Sequence, residues 1–100
     1  MQLYLETNQL NLVANILMEC CGTPQQDPLD DGILDMLLAR DLRFDAGQLE
    51  RVADILATAK RSLKEEIARE ADVARKNVLQ SRLSLLDQTL ERVNEACVMF

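Results

Sequence analysis

The chain contains no histidine and no tryptophan. The missing imidazole removes the side chain that ordinarily acts as a general base near neutral pH. No glycine-rich phosphate loop, nucleophile elbow or metalloprotease motif compensates for it. An enzyme is therefore not expected, nor is a cofactor or a metal. Tyr4, Phe44 and Phe100 are the only aromatics, with three glycines and two prolines. An all-β fold needs turn residues at short intervals, so this scarcity argues against one. No apolar run approaches the ~20 residues of a membrane-spanning helix. Glu6 and Asn8 interrupt the opening residues where a signal peptide would be apolar.

Positive charge is missing from residues 1–39, which carry Glu6, Glu19, Asp27, Asp30, Asp31 and Asp35. The net charge of −6 arises there, because residues 40–100 balance eleven acids with eleven bases. Without a basic block the chain is suited neither to nucleic acid nor to an anionic membrane surface. A partner chosen by charge is basic. Cysteines are few and oddly placed: Cys20, Cys21 and Cys97 form no disulfide framework, and adjacent cysteines pair only with strain. A reducing, cytoplasmic setting is expected.

What is present is a core of Leu, Val, Ile, Ala and Met, and a repeat. Residues 3–17 and 42–56 match without a gap at an offset of 39. Leu3/Leu42, Gln9/Gln48, Leu10/Leu49, Val13/Val52, Ala14/Ala53, Ile16/Ile55 and Leu17/Leu56 are identical, and Leu5/Phe44, Glu6/Asp45 and Asn15/Asp54 are replaced in kind. The expectation is one mainly α domain over 1–100 made of duplicated helical hairpins, with one unit over about 1–41 and the other over about 42–100.

Each copy opens with a short alternating piece, at 3–5 and 42–44, which suggests two very short extended or β lead-ins. Asp45 and Gln48 have capping-box spacing. In the first copy Thr7 or Asn8 is the candidate cap. Helix one is expected from about Asn8 to Cys20, stopped by Gly22 and Pro24. Helix two is expected from about Pro28 to Arg40, capped by Asp27. Helix three runs from about Ala46 to at least Ala68. The seam of Leu79, Leu83, Leu86, Leu90, Val93 and Cys97 defines helix four. Polar residues from Ala68 to Asn77 separate the last two helices. A turn near Asp72, with Asp72 as the cap, is favoured over one continuous helix.

Three candidate sites follow. The long C-terminal hairpin would overhang the shorter pair, so a homodimer through Leu79, Leu83, Leu86, Leu90, Val93 and Phe100 is the leading expectation. The tail Val98-Met99-Phe100 is expected to dock on a neighbouring helix or across that interface. The second site is the acidic group Asp27, Asp30, Asp31 and Asp35, a surface for a basic protein. As a calcium loop it fails, because Leu29 and Leu38 stand where oxygen ligands belong. The third is Cys20-Cys21 as a thiol or soft-metal sensor, set against simple packing at the end of a helix. Cys97 continues the helix-four seam and is expected to pack. The charge run from Lys60 to Lys76 mixes signs and is expected to form a solvated helix face. The function expected overall is a non-enzymatic protein–protein interaction or assembly module.

Overall fold

The computed structural model describes residues 4–20, 23–24 and 27–99. It contains four helices: α1 (Thr7–Cys20), α2 (Asp30–Leu38), α3 (Ala46–Arg69) and α4 (Val73–Met99). No strand occurs among the described residues, so residues 4–5 and 42–44 are not β, and Leu3 lies outside the described residues. Leu5, Leu42 and Phe44 instead bury their side chains in the helical core. A three-residue alternation with no partner ladder satisfies no backbone groups, whereas the apolar side chains have helices to pack against.

The repeat is visible in the backbone. α1 and α3 begin directly after Glu6 and Asp45, at the same offset of 39. At α3 the Asp45 carboxylate accepts from the Gln48 backbone N–H at 2.8 Å, and the Gln48 side chain accepts from the Asp45 N–H at 3.0 Å. At α1 the Gln9 side chain accepts from the Glu6 N–H at 2.9 Å, while Asn8 takes the Gln9 N–H. Both helix starts therefore satisfy orphan donors by the same glutamine device. Four of the paired positions are buried alike: Leu5/Phe44, Leu10/Leu49, Val13/Val52 and Leu17/Leu56 are all in the core.

α2 is shorter than its spacing suggests, because the first turn is irregular. Asp27 Oδ1 accepts from the Leu29 N–H, Asp30 Oδ2 accepts from the Asp27 N–H, and Leu29 is already helical in φ and ψ. Asp27 thus caps the segment as its sequence implies, one turn ahead of the regular helix. At the other end Arg40 leaves the helix in the left-handed region, with φ 57°. The Asp41 N–H donates to Met36 O and the Arg40 N–H to Leu37 O, which is the Schellman closure.

The chain turns between α3 and α4 without glycine or proline. Glu70 is extended, its carboxylate accepts from the Asp72 N–H, and Asp72 Oδ1 accepts from the Ala74 N–H. Asp72 therefore caps α4, and the two long helices pack against each other as a hairpin. Lys60 Nζ and Asp87 Oδ1 pair across it at 2.6 Å. The core runs through α1, α2 and both long helices, with Val13, Ile33, Val52, Leu56, Leu86 and Val93 at its centre. No helix among the described residues is long and apolar enough to cross a membrane.

Candidate functional site

The α4 seam lies inside the molecule. Leu79, Leu86 and Val93 are buried, and Leu83, Leu90 and Cys97 are half-buried against the same core. The hairpin packing and the short helices use this face, so a charge placed at Leu86 would lie in the core. Of the residues expected at an interface, Phe100 lies outside the described residues. Val98 does not dock within the chain: it is 87 % exposed.

The acidic group is also divided by the fold. Asp31 and Asp35 are exposed on α2 and Asp27 is half-buried, but Asp30 is 4 % exposed. The Asp30 carboxylate is held by Arg51 of α3 through a bidentate pair, Nε to Oδ1 at 2.8 Å and Nη2 to Oδ2 at 3.0 Å. Hydrogen bonding to Arg51 holds the Asp30 carboxyl below its ordinary pKa despite burial, and the Arg51 guanidinium is shifted up for the same reason. Asp30 is a strut between α2 and α3, withdrawn from any partner. Among the described residues no three acidic or sulfur side chains converge to share an ion. Cys21 lies outside the described residues, as does the Cys20 side chain.

A further surface feature among the described residues is a groove. α1 has 14 residues against 24 in α3 and 27 in α4, so the hairpin extends past the end of α1 and leaves a step. The step is an open cavity of about 920 Å³ between α1, α3 and α4. Leu12, Ile16, Met18 and Ala59 supply its accessible apolar surface, over the buried side chains of Ile55, Leu63 and Leu86. Glu19, Asp54 and Glu66 bring negative charge to it, with Asn15, Thr58 and Ser62 among the neutral polar groups. Arg51, already engaged by Asp30, also meets Asp54 Oδ2 at 3.3 Å, while Arg82 enters from α4.

An apolar floor with charged edges is the form of site that takes an amphipathic helix. The sequence overlooked this groove. Apart from seam residues such as Leu86, its lining residues fall on the flanks of three separate helical stripes, and the difference in helix length opens space between them. The one available signal was the predicted overhang. Compared with protein-family models, curated proteins and solved structures, the chain matches none.

Proposed function

We propose that the chain is a non-enzymatic, cytoplasmic protein–protein interaction module whose groove between α1, α3 and α4 receives an amphipathic helix with basic flanks. The observation that carries this reading is the apolar surface of Leu12, Ile16, Met18 and Ala59 over the buried Ile55 and Leu63, bordered by the carboxylates of Glu19, Asp54 and Glu66. Burial of such a surface contributes ~25 cal/mol per Å² of apolar area, and the bordering acids select the sign of the incoming helix. The acidic α1 and α2, which contain no Lys or Arg, favour the same sign.

The test uses a synthetic Leu/Lys amphipathic helix as the probe and the methyl resonances of the folded chain as the readout. Shifts at Ile16, Ile55 and Leu63, weakened by salt, are the expected result. Shifts confined to surface methyls such as Val98, or no binding at millimolar peptide, would overturn the reading.

A further inference from the structure

Resting on that groove, we propose that its natural occupant is a second copy of this chain. The tip of the α3–α4 hairpin, residues 60–82, lies antiparallel along the groove of the partner, whose own tip lies in the first groove. Charge complementarity carries the inference. Residues 60–82 hold seven Lys or Arg against four Asp or Glu, whereas the rest of the chain holds thirteen acids against four bases. The molecule has a basic tip and an acidic body, and the groove lies on the boundary.

The tip also continues the groove's face. Val78 is 68 % exposed and stands one turn before Arg82 and two turns before Leu86 on α4. An exposed apolar side chain is thus placed on the overhang, one turn from Arg82, which lines the groove.

Of the two side-by-side arrangements, the parallel one sets tip on tip and body on body, which opposes like charges. The antiparallel one sets each basic tip on an acidic body twice over, and its two-fold axis closes the assembly at two copies. Glu66 and Arg82 stand at the tip-side end of the groove, near that axis, so Arg82 of each copy meets Glu66 of the other.

Sedimentation of the full chain across concentration, at 50 and 500 mM salt, tests this arrangement. The expected result is a monomer–dimer equilibrium that weakens at high salt. Val78→Asp and Arg82→Glu each raise the dissociation constant at least tenfold with unchanged thermal melting of the monomer. Glu66→Arg combined with Arg82→Glu recovers the dimer. A monomer at every concentration in low salt, a dimer indifferent to both single variants, or a failure of the charge-swapped double variant would overturn the proposal. If the chain is monomeric yet the Leu/Lys peptide still shifts the groove methyls, the second-copy occupant fails and the groove reading stands. If the peptide leaves those methyls unmoved, the groove reading itself fails.

Discussion

Asp30 and Arg51 are the residues whose roles the fold changes most. Their pair is nearly dry, with side-chain exposures of 5 % and 14 %. Removing Asp30 takes the bidentate partner from a guanidinium that is largely out of water and leaves it the longer contact to Asp54 Oδ2, and breaking a buried pair costs more than the pair itself contributes. Asp30→Ala is expected to destabilise the chain by about 3 kcal/mol in urea unfolding, whereas Asp31→Ala on the exposed face of α2 should change it little. The pair also sets an acid limb. The folded-state pKa of Asp30 lies below its ordinary 3.8, so its contribution is complete above the unfolded value and is lost as pH falls through the folded one. Unfolding free energy measured between pH 6 and 2 should therefore decline below about pH 4, and Asp30→Asn should flatten that decline. A variant with the same acid slope as the parent chain would remove Asp30 from the account. Sequence reading placed Asp30 on the surface because its neighbours Asp27 and Asp31 supply a local reason for it, helix capping. The Arg51 that buries it lies 21 residues away on another element, and no periodicity encodes that meeting.

Among the elements, α2 carries two local conflicts, one inside the helix and one at its closure. Gly32 occupies the interior of a nine-residue helix, and a Cβ there would meet no atom within 4 Å. Its freedom serves no close approach, so Gly32→Ala is expected to raise stability by about 0.5–1 kcal/mol. Arg40 occupies the left-handed position of the helix closure, where a side chain costs about 1 kcal/mol and glycine costs nothing sterically. Arg40→Gly should raise the melting temperature despite the flexibility it adds to the unfolded chain, and Arg40→Ala should not. Caps and turns at the other helices were legible because the side chains that make them lie within three residues of one another. Asp45 with Gln48 and Asp72 ahead of α4 could be placed from spacing alone. The Arg40 closure was not legible, since arginine gives no signal for φ above zero, and of the extended or β readings of the lead-ins the β one fails among the described residues, because three alternating residues are too few to separate strand from staple.

At the scale of the whole molecule, the duplicated template builds two pairs of unequal length, and the inequality distributes stability as well as surface. The long hairpin is tied by the α3–α4 interface, the Lys60–Asp87 pair and a capped turn. α2 has nine residues, buries Ile33 and Leu37 deeply, and is joined to α3 through the Asp30–Arg51 pair. Its exposed face carries Leu38 at 67 % and the charges of Asp31 and Asp35. Local opening begins where few apolar contacts oppose it, which makes α2 the first element to detach. Native-state hydrogen exchange in low urea is expected to give the Ile33 and Leu37 amides a smaller opening free energy than those of Val52, Leu56, Leu86 and Val93. The latter group should converge on the global unfolding value. Gly32→Ala should raise the α2 opening energy, because its effect lies in α2's own helical equilibrium. A single opening energy shared by all four helices in the parent chain would contradict this ordering, and would mean that the short pair folds only as one unit with the hairpin it sits on.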